Sequence, residues 1–387
     1  MRVAFLGAFD PDYPRTRVLQ EGLAAHGVDV RLLPVTSRPF ARGAALFGAW
    51  ASRAAGADAY LVPSFGHRDV PMVSALARIA GVPLLFDPLI SRWDTQTRDL
   101  GRVATRSLAA ARLHLSDAVA LRLADVVLCD TWEHGELFAE RFGVPRRKLA
   151  RVPVGADHAA FALGAARAAR AARSGASGAR PGGPAGVPTD AQPLSVVYVG
   201  GFLPLHGVPS IVGAAAILER RHGPGFARFT LIGDGMTAHE ADRDIASGGL
   251  ASVRREPRIP YARALEMLAR ADVGLGIFGT TEKAARVVPH KVYQSLALGV
   301  PTVTRRSPAV AEFFERGRTA PSGEPLFLVP AGSADAIAAA IEELARNPER
   351  RERLGTSGRE AVASFATPEK VGAALLEAIE RARSGRR

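Results

Sequence analysis

The chain has 387 residues, 47% of them hydrophobic and 23% charged, with a single cysteine, Cys129. These values exclude a disordered chain, a collagen-like fibre, a disulfide scaffold and a cysteine-built metal centre, and the length points to two domains, three at most. The net charge of +12 is spread along the chain, +4 over residues 1–160, +3 over 161–193 and +5 over 194–387, so there is no basic pole and no nucleic-acid module is expected. Only Lys148, Lys283, Lys291 and Lys370 are lysines among the 50 basic residues. So strong a bias toward arginine, beside abundant alanine and glycine, is a compositional effect that leaves only a weak preference for anionic partners. The opening apolar run is too short for a signal-peptide core, and no stretch holds about 18 uninterrupted apolar residues, so the expected location is cytoplasmic.

In chain order, a short apolar run (RVAFL, 2–6) ends at Gly7, and an amphipathic stretch from about Arg15 to His26 follows. Further apolar runs are VDVRLL (28–33), AYLV (59–62), PLLF (83–86) and DVVLCD (125–130), with helical patterns between them, the longest from about Thr97 to Leu123. Short buried strands alternating with helices predict βαβ units on a parallel sheet. The first domain is expected over 1–157. Residues 158–193 are Gly, Ala, Pro, Ser and Arg with almost no large apolar side chain. Such a stretch cannot bury enough surface to offset its conformational entropy, which predicts a flexible linker with at most a transient helix around 164–173. The alternation restarts at SVVYVG (195–200) and continues through FTLIGDG (229–235), DVGLGIF (272–278), PTVT (301–304) and PLFLVP (325–330), with helices at 206–221, 261–270, 290–298, 333–346 and from Pro348. This predicts a second doubly wound domain over 194–367 and a last helix, 368–387, able to cross back to the first domain. The expected fold class is α/β, two Rossmann-like domains facing a central cleft, with ligands at the carboxyl ends of the strands.

Four segments of the second domain converge on such strand ends. Gly200 and Gly201 let the backbone approach a ligand, and His206 precedes a helix N-terminus that favours negative charge. Gly233 and Asp234 form a glycine turn at the next strand end, although any doubly wound domain needs turns of this kind. The loop at Arg258 and Ile259 can meet a flat base with its backbone groups. The most specific segment is GTTEKAARVVPHKVYQSLALGVPTVT (279–304): Pro289 suits a helix start, Gly299 suits its end, and Lys291 and Gln294 share a face near the positive end. Lys283 and Lys291 supply compact point charges suited to phosphate in a chain that otherwise chooses arginine. In the first domain, Gly7, Arg15 and Arg17 lie after the first strand, where the arginines can meet an anionic acceptor, and Asp87 ends the PLLF strand. Arg98, Arg102 and Arg106 recur every four residues and would form a stripe on one helix face, a weak peripheral membrane contact or simply a solvated face.

Strand–GGF–x4–G, then LIGDG, then P-x-K-x-Y-x3-L-A-x-G-x-P-x-V, together with RVPVGADHAAF (151–161) and the closing segment from LFLVP to REAV, resembles the group 1 retaining glycosyltransferases of the two-Rossmann-domain (GT-B) class. The resemblance is strongest from Ser195 to Phe365. It implies a nucleotide-sugar donor in the second domain and a saccharide, lipid-linked or small-molecule acceptor in the first. It also implies sugar transfer with retention, in surface polysaccharide or glycoconjugate assembly. The implied donor-binding set is Gly200, Gly201, Gly233, Asp234, Arg258, Ile259, Glu282, Lys283, Arg286, Lys291 and Gln294. The implied catalytic set is Asp87, His206 and Lys291. The sequence departs from the family pattern at several places: Gln294 stands where an acidic residue commonly holds the ribose, Arg286 where a second commonly contacts the sugar, Gly201 and His206 where the first glycine loop often has a basic pair, and Asp87 where many relatives carry a histidine. The diphosphate charge would then fall to His206, Arg286 and Lys291. No Asp-rich metal motif lies near these loops, so no cofactor or required metal is expected. A sugar-nucleotide epimerase on the same fold and a catalytically silent nucleotide-sugar binder are the alternative readings.

Overall fold

The structure, a computed structural model, describes residues 1–35, 38–173, 192–315 and 322–385. The chain divides into two compact units. The first comprises Met1–His158, Arg286–Val288 and Phe365–Arg387; the second comprises Ala159–Ala285 and Pro289–Ser364.

The first unit is built on six parallel strands, β1 (Arg2–Gly7), β2 (Asp29–Pro34), β3 (Ala59–Val62), β4 (Leu84–Phe86), β5 (Val126–Cys129) and β6 (Leu149–Arg151), in the order β2-β1-β3-β4-β5-β6. Its helices are α1 (Pro14–Ala25), α2 (Pro39–Ala49), α3 (Val70–Ala80), α4 (Arg92–Asp94), α5 (Leu108–Leu123) and α6 (Trp132–Phe142), together with the chain's last helix. β3 and β4 are buried along their whole length, as expected of a parallel sheet covered on both faces.

The second unit repeats the plan. After α7 (His158–Arg173) come β7 (Leu194–Val199), α8 (Val208–His222), β8 (Ala227–Ile232), α9 (Ala238–Ser247), β9 (Val253–Glu256), α10 (Tyr261–Ala269) and β10 (Val273–Leu275). They are followed by α11 (Glu282–Arg286), α12 (His290–Ala297), β11 (Thr302–Arg305), α13 (Pro308–Phe314), β12 (Phe327–Val329), α14 (Ala334–Arg346), α15 (Pro348–Phe365) and α16 (Pro368–Ser384). The sheet order is β12-β11-β10-β7-β8-β9, again all parallel. Both sheets reverse their direction of winding beside their first strand, between β1 and β3 and between β7 and β10. In open α/β sheets such switch points leave a crevice at the carboxyl ends of the strands.

Two elements differ from expectation for identifiable reasons. The helix expected from Thr97 to Leu123 begins only at Leu108. A π turn covers Thr95–Asp99, Gly101 takes φ +62°, and Ser107 caps α5 by accepting from the Ala110 N–H at 3.1 Å. Arg102 and Arg106 therefore lie in a loop, and the stripe of Arg98, Arg102 and Arg106 on one helix face does not form. Within the expected linker, 158–173 is the helix α7, while 174–191 lies outside the described residues. Helix α7 is seated because Gly164 lies against the Ala297 carbonyl, where a Cβ would come within 2.1 Å. The Arg167 guanidinium donates to the Gly299 carbonyl just past the end of α12. The alanine-rich pattern hid this because its anchoring groups are a glycine and an arginine rather than large apolar side chains.

Helix α16 packs against α1 in the first unit through a glycine seam. A Cβ on Gly22 would lie 2.4 Å from the Pro368 carbonyl oxygen, and one on Gly372 would lie 2.2 Å from the Gly22 carbonyl oxygen. Val371, Leu375 and Ile379 then join Val3, Phe5, Val18 and Leu19 in one core. Gly372→Ala is therefore expected to lower the thermal midpoint. Alanine gains about 1 kcal/mol of helix propensity over glycine, but overpacking a fitted contact typically costs about 1–3 kcal/mol, and here the clash is with backbone. A rise in the midpoint would contradict the seam.

Candidate nucleotide-sugar site

The second unit's switch point gathers its most unusual side chains. Strand β7 runs out through Gly200 and Gly201, and α12 brings Lys291 to the same place. The Lys291 side chain is buried at 6% exposure, its Nζ has no hydrogen-bond partner, and it stands 3.9 Å from the centroid of the Tyr198 ring. Gly200 (φ +151°) makes this possible, because a Cβ there would lie 2.4 Å from Nζ. The Gly201 carbonyl accepts the Tyr198 hydroxyl at 2.7 Å and also meets His206 Nδ1. Burial pushes the Lys291 ammonium well below the usual lysine range. Burial, aided by the positive charges of Lys291 and Lys283, pushes His206 well below the usual imidazole range. The two lysines and the histidine are thus close enough to feel one another. His206 is neutral at pH 7, with Nδ1 committed to the Gly201 carbonyl.

Two helix N-termini border this group. Helix α8 starts at Gly207 directly after His206, and α12 starts at Pro289, and neither has a side-chain cap. The dipoles of these helices favour an anion at their first turns. Gly233 (φ +138°) lets the next strand end close in, since a Cβ would fall 1.9 Å from the Gly200 carbonyl oxygen. Asp234 is exposed and accepts from the Gly235 N–H at 2.8 Å. Gln294, one turn beyond Lys291 and buried, donates from Nε2 to the Tyr261 hydroxyl at 3.1 Å. Tyr261 opens α10 after the N-cap Pro260, which follows Arg258, exposed, and Ile259, half-buried. Lys283 is buried on α11 and Glu282 is exposed at its start.

Arg286 does not stand as an open cation. It belongs to the first unit, where its guanidinium forms two hydrogen bonds to Asp94, at 2.8 and 2.9 Å, and its carbonyl accepts the Thr131 hydroxyl at 2.6 Å. The structure departs from the expected sharing of charge among His206, Arg286 and Lys291: His206 is neutral and Arg286 is paired with Asp94, which leaves Lys291 and Lys283 as the buried lysines of this group.

In the first unit the expected acceptor-side and catalytic groups are bound to one another. Arg15 is fully buried and makes a double contact with Asp87 (3.2 Å for both Nε–Oδ2 and Nη2–Oδ1), and it also donates to the carbonyls of Val152 and Pro153. Ser64 donates to Asp87 at 3.1 Å. Arg15 therefore does not face an anionic acceptor, and Asp87 is an internal anchor rather than a group presented to substrate. Arg17 pairs with Asp157 at 3.1 Å. Gly7 (φ +149°) lies against Asp69, which accepts from the Ala8 N–H at 2.9 Å, and a cavity of about 370 Å³ opens beside it at the first unit's switch point, lined by Phe9, Tyr13, Thr16 and Ser64.

Residue-type reasoning missed Tyr198 and Tyr261, which position the site, and Asp94, which neutralises Arg286. Tyr198 sits inside an apolar strand pattern, and nothing local marks its hydroxyl as a ligand for Gly201.

With this geometry in hand, likeness to known proteins can be placed. Residues 214–377 match the family described as glycosyl transferase-like. No curated protein matches the chain in sequence. Among solved structures, HepE of Anabaena in complex with UDP-glucose has a TM-score of 0.67 at 14% identity, covering 98% of this chain and 99% of its own. A glycosyltransferase from Rickettsia africae has a TM-score of 0.62 at 11% identity, covering 98% of each chain. The pneumococcal O-GlcNAc transferase GtfA, in complex with UDP and GlcNAc, has a TM-score of 0.55 at 12% identity, covering 84% of this chain and 56% of its own. The chain therefore has the GT-B fold, and its residues 214–377 are similar to the glycosyl transferase-like family. Among the described residues no helix is long and apolar enough to cross a membrane.

Two stability measurements follow. Lys291→Met is expected to raise the thermal midpoint, since it removes a buried charge with no hydrogen-bond partner. The folded-state pKa is depressed, so the cost is complete below it and fades as pH rises toward the unfolded lysine value of about 10.4. The gap between wild type and variant should shrink over that window, and an unchanged gap at high pH would exclude the charge as its cause. Asp87→Asn, which leaves Arg15 buried without a counter-charge, is expected to cost about 3–5 kcal/mol by denaturant titration. A loss under 1 kcal/mol would mean that the pair does not anchor the unit.

Proposed function

We propose that the chain is a glycosyltransferase that takes a nucleoside-diphosphate sugar in the second unit and passes the sugar to an acceptor hydroxyl with retention of configuration. The observation that carries this reading is the buried Lys291 ammonium, with no hydrogen-bond partner, over the gap left by Gly200. A lysine held there at a helix N-terminus opposes both solvation and the helix dipole, and a bound diphosphate would offset both costs. Breaking the anomeric bond builds negative charge on the departing diphosphate, which Lys291, Lys283 and the first turns of α8 and α12 are arranged to stabilise. Retention follows if the acceptor attacks on the face the leaving group vacates and the leaving phosphate takes the acceptor's proton. Charge stabilisation in this scheme comes from the chain's own cations and needs no resident metal.

Gln294 and Tyr261 form a neutral hydrogen-bonding pair suited to a sugar hydroxyl. The UDP and UDP-glucose held by HepE, and the UDP held by GtfA, make a uridine diphosphate sugar the first donor to try. The setting we favour is surface polysaccharide or glycoconjugate assembly in the cytoplasm. The absence of a carboxylate at positions 286 and 294 favours one competing reading, a nucleotide-sugar binder without turnover.

Thermal shift with UDP-, GDP-, ADP- and dTDP-sugars, with and without magnesium, tests the site. A true ligand at a hundredfold excess over Kd stabilises by about 2.7 kcal/mol. The expected result is a shift with UDP-sugars that Lys291→Met abolishes while raising the unliganded midpoint. No shift with any nucleotide would remove the donor site. A shift without sugar transfer or hydrolysis would favour the silent binder.

A further inference from the structure

A second cavity in the first unit, of about 650 Å³, adjoins the one beside Gly7, with Phe65 lining both. It opens at the loops that follow β3 and β4 and against one side of α5. Its wall divides by chemistry. Phe65, Ile90, Val103 and Leu113 form an apolar side, and Arg68, Arg92 and Arg112 are its only charged residues. Burial, and then the nearby charge of Arg68, push the Arg92 guanidinium below its usual range, with Asp117 acting in the opposite direction. Asp117 lies behind Arg92 but is fully buried, accepting from Ser91 Oγ at 2.8 Å and from the Trp93 N–H at 2.9 Å. The cavity is therefore a concave, largely apolar surface lined by three arginines and no acid, with Asp117 partly offsetting Arg92 from behind.

Phe65 sharpens this picture. It holds φ +69°, a left-handed conformation costly for an aromatic residue, and is 48% exposed at the cavity edge. Backbone strain kept at an exposed aromatic is a feature of ligand-contacting loops. Helix α5 extends the same character outward. Ala109, Arg112, Leu113 and Ser116 face the cavity. Leu108, Leu115 and Val119, at 72, 63 and 38% exposure, form an adjoining stripe on the neighbouring helix face. The carboxylates of this stretch, Asp94, Asp99 and Asp117, are all buried, while Arg98, Arg102, Arg106 and Arg112 are exposed. Exposed apolar side chains set among arginines with no exposed acid are complementary to an anionic lipid surface.

We propose that this cavity takes the headgroup and first chain segments of an anionic lipid, with the phosphate held by Arg68, Arg92 and Arg112, the chain lying along Phe65, Ile90 and Leu113, and the Leu108–Leu115–Val119 stripe entering the surrounding lipid. The site lies wholly in the first unit, and its evidence is independent of the donor reading.

The test uses the full chain and two probes, decyl phosphate below its micelle concentration and phosphatidylcholine vesicles with or without phosphatidylglycerol. Decyl phosphate should bind in calorimetry at least roughly tenfold more tightly than inorganic phosphate, because only the former can use the apolar wall. Arg68→Glu with Arg112→Glu should weaken it by roughly tenfold or more, and Ala109→Trp, which fills the cavity, should abolish it. The protein should sediment with phosphatidylglycerol vesicles and not with phosphatidylcholine alone, and Leu108→Ser with Leu115→Ser should release it. All these positions are exposed, and unchanged thermal midpoints and UDP-sugar shifts would show that the variants fold and that the second unit is intact. Equal binding of decyl and inorganic phosphate would reduce the site to an anion site and overturn the lipid assignment. Failure of decyl phosphate to bind, or binding that both cavity variants leave intact, would overturn the site itself.

Discussion

The second unit is organised around one expensive interaction, an ammonium group buried at the start of a helix with no hydrogen-bond partner. Helix α12 carries Lys291 at its positive end, where its own dipole disfavours a cation. Everything nearby accommodates that placement. Gly200 gives up its side chain to make room, Tyr198 offers its ring face, and Gly201 collects the Tyr198 hydroxyl and His206 so that neither competes for the space. The other end of the helix is secured from a distant part of the chain, because Arg167 of α7 donates to the Gly299 carbonyl, where a cation is favoured. The helix is thus pinned at both ends by positive charge, favourable at one end and unfavourable at the other, and the proposed diphosphate would relieve the unfavourable end.

The first unit makes the opposite use of charge. Its central buried cation, Arg15, is fully satisfied by Asp87 and two backbone carbonyls, and Asp87 in turn receives Ser64. Such a pair ties β4 to α1 and to the chain after β6, and removing either partner would leave a buried charge exposed to an apolar core. The glycine seam between α1 and α16 works on the same helix. The N-terminal sheet is thus locked by a saturated ion pair on one side of α1 and by backbone contact on the other, and its cavity of three arginines lies elsewhere, around Arg68 and Arg92.

The architecture was legible because parallel strands in α/β proteins write themselves as short apolar runs, and the runs at Arg2, Ala59, Leu84, Val126, Leu194 and Val273 all fall on observed strands. Less legible were β6, only three residues long, and β9 (VRRE), whose edge position permits charged residues. The break before α5 is set by Gly101 and the Ser107 cap, which local periodicity from Thr97 onward overrode. At the candidate site, glycine spacing and the rare lysines singled out Gly200, Gly201 and Lys291, which the fold brings together, because a compact cation and a missing side chain leave marks in composition. What the sequence could not carry was which charges cancel. Asp87 and Arg15 are 72 residues apart, and Asp94 and Arg286 are 192 apart. Pairings at that separation arise only when the sheet is assembled, and they turned three expected functional groups into structural ones.

The scarcity of lysine is informative for the same steric reason. Arginine is the default cation of this chain, so a lysine marks a place where a guanidinium does not serve. At Lys148 the ammonium donates at 2.9 Å to both the Arg122 and Ala124 carbonyls, closing the end of α5 with a single point charge. At Lys291 the Nζ occupies the volume that a Cβ on Gly200 would need. A planar guanidinium is wider than that gap and would have to turn its edge into the Tyr198 ring or the Gly200 backbone. An ammonium instead fits and keeps its three donors for whatever enters from the switch point. The side chain is thus selected by shape as much as by charge, and Gly200 and Lys291 form one feature, since any side chain at position 200 would displace the Lys291 Nζ.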